Sequence, residues 1–484
     1  MFVLGLDIGT QGVRGIIAHK SGEVVVSLNT PFVSMNIATV EGHKEQDALV
    51  WWQAALHTIQ TIVRDFRNIG HRVDEIAALA VDGTSGTIVP LDDQNIPLCR
   101  ALLYNDARST KETMLVREKG KELEDKLGYR FNSSYALPKM LWIKRNMPEI
   151  WRKTRIIAHQ SDYIVGRLTG IYNVSDYSNA LKSGYDLIDK KWPRFIEEDL
   201  EIPVDLLPRI VAPGTLIGNI SPEGSEQTGL SVKTAVVAGA TDGYASAIAS
   251  GAIEPGDFNT TIGTTMVIKG VTPNLITDPK GRVYCHLYPD GYWMPGGASN
   301  VGGRCLNHRF HPSVFDRYNK DVPVWTPTGV IVYPLVGTGE RFPFIKEDAK
   351  GFILGEYRDD RQLYAALMEG VAYTERLAYD TLEELGCKIG ERIYVAGGAV
   401  KSREWSQLRA NILNKTLLKP QVVEAAMGSA IIAASTTLYG NITDAARSMV
   451  KITEEIYPRP EKVDQYQSFY ERFKKECRER GYIE

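Results

Sequence analysis

Cysteine is scarce in this 484-residue chain. The five residues, Cys99, Cys285, Cys305, Cys387 and Cys477, are odd in number and show no CxxC spacing. That excludes a disulfide framework and a zinc ribbon and predicts reduced thiols. Histidine is sparse too, and His43, His159, His286, His308 and His311 are too dispersed for a zinc site. Neither sign of charge dominates: 56 Lys and Arg face 59 Asp and Glu, a formal net charge of −3. Such a balance gives no reason to expect nucleic acid or an anionic membrane as partner. There is no run of eighteen apolar residues, and the most apolar helix-like segment, 234–253, carries Asp242. The chain enters a strand-forming run, Phe2-Val-Leu-Gly-Leu-Asp7, without a basic leader or cleavage site. The expectation is a cytoplasmic protein with no signal peptide. GxxxxGK[ST], a strand-turn-helix GxGxxG and the HRD and DFG elements are all missing, so P-loop, Rossmann and protein-kinase readings fail. Gly83-Thr-Ser85-Gly86 is not GxSxG, which removes the nucleophile-elbow hydrolases.

What is present is alternation of strand and helix on a scale of two or three domains. Strands are predicted at 2–7, 13–18 and 23–29, with a tight turn at Gly9-Thr10-Gln11-Gly12. Asp47 to Asn68 carries Trp51, Ala55, Ile59 and Ile62 at helical spacing. Further strands are expected at 76–81, 88–91, 101–104 and 235–238, and helices at 139–146 and 161–168. Residues 175–186 read as a polar loop. In the second half, a hairpin around Gly263 is followed by strands to Trp293, and Gly296 to Gly303 is expected to open a helix. Later helices are predicted at 360–385 (Gly386 as its stop), 402–413 and 424–438, with a charged, solvent-facing helix at 461–480. The segment 424–438 is rich in Ala, Gly and Ser, which permits close backbone approach. The best boundary falls near residue 250, giving domains 1–250 and 251–484.

The centre of the chain is Val237-Ala-Gly-Ala-Thr-Asp242-Gly-Tyr-Ala-Ser-Ala-Ile248. It reads as a buried strand, a glycine turn and an acidic residue at or near a helix N-cap, where backbone N–H groups and the helix dipole favour a carboxylate. Taken alone, Asp242 is an ordinary cap. Ile8-Gly9-Thr10 and Ile262-Gly263-Thr264 lie about half a chain apart, each between two strands, and suggest a duplication. With Gly397-Gly398-Ala399 they make three glycine turns at strand ends, where backbone N–H groups and Thr hydroxyls can donate to phosphate oxygens. Arg14 follows the first turn and would pair with an acid or add charge at a phosphate. Taken together, these turns favour an ATP cleft between two similar halves. Asp7 and Asp242 could hold Mg²⁺, which takes few carboxylates alongside phosphate oxygens.

At this point the chain resembles the FGGY carbohydrate kinases over nearly its full length. Leu6-Asp7-Ile8-Gly9-Thr10 is similar to their opening phosphate turn, and Lys139-Met-Leu-Trp142-Ile-Lys-Arg-Asn146 to the core of one family signature, with Ala136 where Pro, Ser or Thr is usual. Ala366-Leu-Met-Glu-Gly370-Val matches the start of a second signature whose remainder departs from the pattern. Gly397-Gly398-Ala399 resembles the adenosine motif, with Ser402 where glycerol kinases carry Asn. Thr84-Ser85 replaces the Arg-Glu pair of glycerol kinases and the Met-His pair of xylulokinases. Val81-Asp-Gly-Thr-Ser-Gly, Tyr104-Asn105, Ser175 to Lys182, Gly297 to Asn300 and Gly339 to Pro343 resemble instead the D-ribulose kinases labelled xylulokinase-like.

The resemblance implies a duplicated RNase H-like, actin-type α/β fold of two domains with an interdomain cleft, acting with ATP and Mg²⁺. Adenosine is expected on Gly397, Gly398 and Ser402, and phosphates near Thr10, Gln11, Arg14, Gly263, Thr264 and Gly302. The metal is expected near Asp7 and Asp242. The sugar is expected against Asp82, Thr84, Ser85, Asn105 and Asp242, with Asp242 as general base toward a primary hydroxyl. Closure around Gly251 and Gly256 would exclude water. Three readings stay open: a D-ribulose kinase, a kinase of D-xylulose or another ketose or polyol, and an actin-like ATPase without sugar kinase activity. The partners expected are a small sugar and ATP, and a homodimer is left open.

Overall fold

The computed structural model describes residues 1–32 and 43–484. It divides into two compact units. The first comprises Met1–Gly251, His286–Gly291 and Val422–Lys451, the second Ala252–Cys285, Tyr292–Gln421 and Ile452–Glu484.

The first unit is built on a six-stranded sheet in the order Leu216–Asn219, Ala235–Thr241, Ile76–Gly83, Phe2–Ile8, Gly12–His19, Val24–Pro31. Phe2–Ile8 runs antiparallel to Gly12–His19 and parallel to Ile76–Gly83, which is parallel to Ala235–Thr241. The central strands are apolar along their whole length because both sheet faces are covered. The cross-strand partners Gly5–Ile16 and Leu6–Gly15 put Gly5 and Gly15 on opposite faces. A Cβ on Gly15 would meet Thr58 and Ile62 of the helix Ala48–Asn68, and one on Gly5 would meet Ala426 O at 1.8 Å in the helix Ala425–Ala434. Glycine is required at position 5 because the helix backbone sits where a side chain would be. Gly428 allows the same approach to Ala245 of the helix Asp242–Ser250.

The second unit holds six strands of one sheet in the order Trp293–Ser299, Met266–Gly270, Phe258–Ile262, Arg392–Ala396, Thr416–Pro420, Ile452–Ile456. Phe258–Ile262 is antiparallel to Met266–Gly270 and parallel to Arg392–Ala396, which is parallel to Thr416–Pro420. From Trp293–Ser299 onward, order and direction repeat those of the first sheet. The Ile-Gly-Thr echo therefore marks a duplicated fold. Its core centres on the helix Asp360–Glu384, with Leu363, Leu367, Val371 and Leu377 buried.

Several sequence expectations are corrected. The strand before Asp242 continues through Gly239 to Thr241 without a glycine turn; a Cβ on Gly239 would meet Val81 O at 1.8 Å, so this glycine serves strand-to-strand packing. Gly296–Ser299 end a strand, and the helix begins only at Arg304. Residues 175–186 are a largely buried strand end and helical turns, because the Asp176 carboxylate caps Ser178 N and Asn179 N. The helix Pro460–Glu479 is not simply solvent-facing, since it buries Tyr466, Tyr470, Phe473 and Cys477. The segment 251–484 is not one piece: residues 422–451 pack with the first unit, because the small-residue helix seats on Gly5. All five cysteines are free thiols. Among the described residues no helix is long and apolar enough to cross a membrane.

Candidate active site

In the first unit, sheet register gathers three carboxylates. Asp7 lies directly across from Asp82 in the parallel pair and from Arg14 in the antiparallel pair. Thr241 lies across from Gly83, so Asp242 follows at the same end of the sheet as the first residue of its helix, with Thr241 in the cap position. Asp242 Oδ1 accepts from Gly243 N at 2.6 Å.

Asp82 is fully buried, and its Oδ2 accepts from Ser429 Oγ at 2.6 Å. Burial first, then the charge of Asp7, holds the Asp82 carboxyl well above the usual carboxylate range against the opposing Ser429 bond. Burial likewise raises Asp7 to about 6; interaction with Asp82 and the charge of Arg14 work downward, and the charges of Asp242 and Glu424 upward. Asp7 Oδ1 and Asp82 Oδ1 are buried and receive no donor from the described residues. A proton held between the two carboxyls answers this. A hard cation on Asp7 would answer it equally, and oxygen donors of this kind fit Mg²⁺. No group of three or more His, Cys, Asp or Glu among the described residues could hold a metal by itself.

The turn at Thr10-Gln11 is fixed by its own backbone. Gly9 N donates to Gly12 O, Thr10 O accepts from Gln46 Nε2 at 2.8 Å, and Gln11 O accepts from Phe32 N. Gln11 and Arg14 are exposed.

The chain leaves the sheet at Gly83 into the loop predicted to hold sugar. Thr84 is buried; its N and Oγ1 both donate to Gln160 Oε1, at 2.9 and 2.7 Å, and Thr84 Oγ1 also meets Thr87 Oγ1. Thr87 Oγ1 accepts from Tyr104 N, which links this loop to the exposed Asn105. The Ser85 hydroxyl is buried without a partner among the described residues. Beneath the loop, Lys139 of the first signature is entirely buried and donates to Gly86 O and Tyr135 O. Burial drives its pKa well below the ordinary lysine value. Lys139 thus pins the loop from below. Thr84 and Asp82 Oδ2 thus have partners inside the protein, the Ser85 hydroxyl has none among the described residues, and Asn105 is exposed.

The second unit assembles its predicted residues around one turn. A Cβ on Gly302 would meet Thr264 O and Thr265 Cα at 2.7 Å, and Gly303 N donates to Gly263 O. Thr261 pairs with Ala396, so Gly397 follows beside the same turn; its φ is +86° and a Cβ there would meet Ile262 O at 2.4 Å. Ser402 caps the helix Arg403–Leu413 through Trp405 N. The two loops Gly297 to Asn300 and Gly339 to Pro343 are joined: Glu340 accepts from Ser299 Oγ, Asn300 N and Tyr333 OH at 2.7 to 2.8 Å, and Asn300 Nδ2 donates to Gly339 O. This network fixes Asn300, two residues before Gly302. The turns offer backbone N–H groups and little side-chain bulk, the chemistry of a phosphate cradle.

Gln160, Thr87, Ser429 and Glu424 were missed in the sequence. Gln160 had one local signal: it opens a helix just after a buried strand. Ser429 had none, standing 347 positions from Asp82.

The carboxylate-bearing strand ends of the first unit and the glycine cradle of the second match a known pattern. Residues 2–249 match the N-terminal domain and residues 258–437 the C-terminal domain of the FGGY family of carbohydrate kinases. The chain belongs to the FGGY family. Among its relatives, the xylulose kinase of Bacillus subtilis (strain 168) is 27% identical over 98% of this chain and 96% of that protein. The gluconokinase of the same organism is 27% identical over 96% and 94%. The fold is shared with the xylulose kinase of Rhodospirillum rubrum (TM-score 0.88, 24% identity, 99% of this chain and 98% of that one). It is also shared with a Plasmodium falciparum glycerol kinase bound to ADP (TM-score 0.86, 18% identity, 100% and 98%).

Proposed function

We propose that this FGGY kinase transfers the γ-phosphoryl group of ATP to the terminal primary hydroxyl of a neutral ketopentose, with D-ribulose the preferred acceptor. The observation that carries the reading is the Thr84-Ser85 loop, braced by Gln160 and Lys139 and continuous with the strand that bears Asp82. Its small hydroxyls and amide suit a neutral polyhydroxy chain. The charges of Asp242 and Asp7 in the same unit would repel the carboxylate of a sugar acid, which disfavours gluconate. D-xylulose is the second reading, favoured by the names of the relatives.

In this reading the sugar lies against Ser85, Asn105 and Asp242, with Asp82 and Thr84 shaping the floor from behind. Asp242 orients the primary hydroxyl and accepts its proton late in the transfer. A loose transition state asks more for alignment than for basicity. Gly397, Gly398 and Ser402 hold adenosine; Thr10, Gln11, Arg14, Gly263, Thr264 and Gly302 hold phosphates. Asp7 and Asp242 would hold Mg²⁺, which supplies charge neutralisation at the phosphates when bound.

A coupled ADP-release assay over D-ribulose, D-xylulose, L-ribulose, ribitol, glycerol and gluconate tests this, with and without EDTA. The expected result is the highest kcat/KM on D-ribulose, abolished by EDTA and restored by Mg²⁺. D-xylulose ahead of D-ribulose would move the assignment to the second reading. ATP hydrolysis indifferent to every acceptor would remove the kinase assignment.

A further inference from the structure

We infer that Gln160 is a specificity-determining residue for the acceptor, its side-chain amide N–H₂ donating to an oxygen on the sugar chain beside the Ser85 hydroxyl. The inference rests on the acceptor site proposed above and deepens it.

Three observations carry it. The orientation of the amide is fixed: Thr84 N can only donate, so the atom it reaches at 2.9 Å must be the oxygen Oε1, which also accepts from Thr84 Oγ1 at 2.7 Å. The other arm, Nε2, is therefore the N–H₂ group. Gln160 is 1% exposed, and Nε2 is buried with no partner among the described residues. A buried amide left without an acceptor costs on the order of 1–3 kcal/mol, so it persists where something else pays for it. Finally, the neighbouring orphan is the Ser85 hydroxyl, on the residue after the Thr84 that Gln160 holds. A donor-only group on the helix start and a donor-acceptor group on the loop that this helix start holds, both unanswered among the described residues, make a pair suited to adjacent oxygens of a polyol.

The position is prepared by what surrounds it. The preceding residue, His159, is fully buried: its Nδ1 meets Asp162 Oδ2 at 2.7 Å and Ser175 Oγ at 3.0 Å, and its Nε2 meets Ser183 Oγ at 2.8 Å. Asp162 Oδ2 also accepts from His159 N, closing a capping box on the helix Gln160–Thr169. The following residue, Ser161, accepts from Asn179 Nδ2 at 3.2 Å. Gln160 therefore stands on a helix start held from both sides, and its two carbonyl-side bonds leave the amide few rotamers. A rigid donor discriminates better than a mobile one, because an acceptor lacking the matching oxygen leaves the amide unpaired inside the complex.

The test uses the whole enzyme, the acceptor it turns over best and a set of that acceptor's monodeoxy analogues. Gln160→Glu keeps an oxygen for Thr84 and removes the donor; Gln160→Ala removes both. The wild type should disfavour one analogue in KM by roughly 10- to 100-fold. Both variants should raise KM for the parent sugar by a similar factor, leave KM for ATP within about twofold, and treat that analogue and the parent alike. Gln160→Asn, which retains an amide, should recover part of the discrimination. Variants that discriminate as the wild type does would overturn the assignment, as would variants that weaken every acceptor and ATP together. Sugar-induced thermal stabilisation gives a readout independent of turnover. If the wild type binds a sugar yet transfers no phosphate, the kinase reading fails while Gln160 is scored on binding. If no sugar binds, both fall.

Discussion

Raising the pH should loosen the second unit, and Glu369 sets the size of the effect. This residue lies on the helix Asp360–Glu384, is 1% exposed, and belongs to the second signature recognised in the sequence. Its carboxyl accepts from Thr328 N, Thr328 Oγ1 and Tyr466 OH. Burial is the largest influence and outweighs those donors, so the pKa is raised from 4.5 to about 7. The folded state thus holds this proton more tightly than the unfolded chain does. The associated stability is fully present below the unfolded value and is lost as pH rises through the folded one. At about 1.36 kcal/mol per pH unit, the loss between pH 4.5 and about 7 reaches roughly 3 kcal/mol.

Glu369→Gln imitates the protonated acid at every pH and should abolish this contribution. A chain of two units need not unfold in one step, so amide hydrogen exchange in residues 360–384 is the suitable assay. Wild type and variant are compared at about pH 5 and about pH 8, because other buried acids give both proteins the same slope. The variant should gain on the wild type by up to about 3 kcal/mol over that range. A difference between the two proteins that stays constant with pH would refute the reasoning.

Asp242→Asn should lower kcat on the best acceptor by about 10²- to 10⁴-fold with little change in KM for ATP, read by ADP release; unchanged kcat would remove the base assignment. Gly5→Ala places a methyl group where Ala426 O stands, at 1.8 Å, and should cost at least about 1–3 kcal/mol, seen as a lowered urea midpoint for the first unit. Arg409 and Glu375 form a two-pronged ion pair, both bonds 2.7 Å and both side chains fully buried. Arg409→Met should destabilise by about 3–5 kcal/mol, and adding Glu375→Leu should restore much of it in a denaturation series; a double variant no better than the single would count against uncompensated burial as the cause.

Local rules carried much of the fold. The apolar spacing of Trp51, Ala55, Ile59 and Ile62, the stop at Gly386 and the cap at Ser402 all depend on neighbours within a few residues, and the helices follow them. The errors fell where a distant partner overrode a local signal. Gly239 reads as a turn because glycine breaks strands, yet it lies within one, where Val81 leaves no room for a side chain. Residues 175–186 read as loop by polarity, yet the buried carboxyl of Asp176 satisfies the backbone there.

For the candidate site, the sequence by itself determined the duplicated Ile-Gly-Thr hairpins, the glycine cradle residues and the acids at strand ends. Each is a short pattern whose chemistry is contained in adjacent residues. Only the tertiary structure decided which carboxyl faces which. Asp7 and Asp82 are 75 positions apart but neighbours in sheet register. Their raised pKa values come first from burial, joined at Asp82 by the charge of Asp7, which no linear pattern encodes. Ser429, which donates to Asp82, and Gln160, which accepts from Thr84, arrive from helices distant in the chain, and Gly5 and Gly83 leave room for those helices to approach. Spacing along the chain names the groups that carry the chemistry; packing decides which of them are left unsatisfied, and so which are available to a ligand.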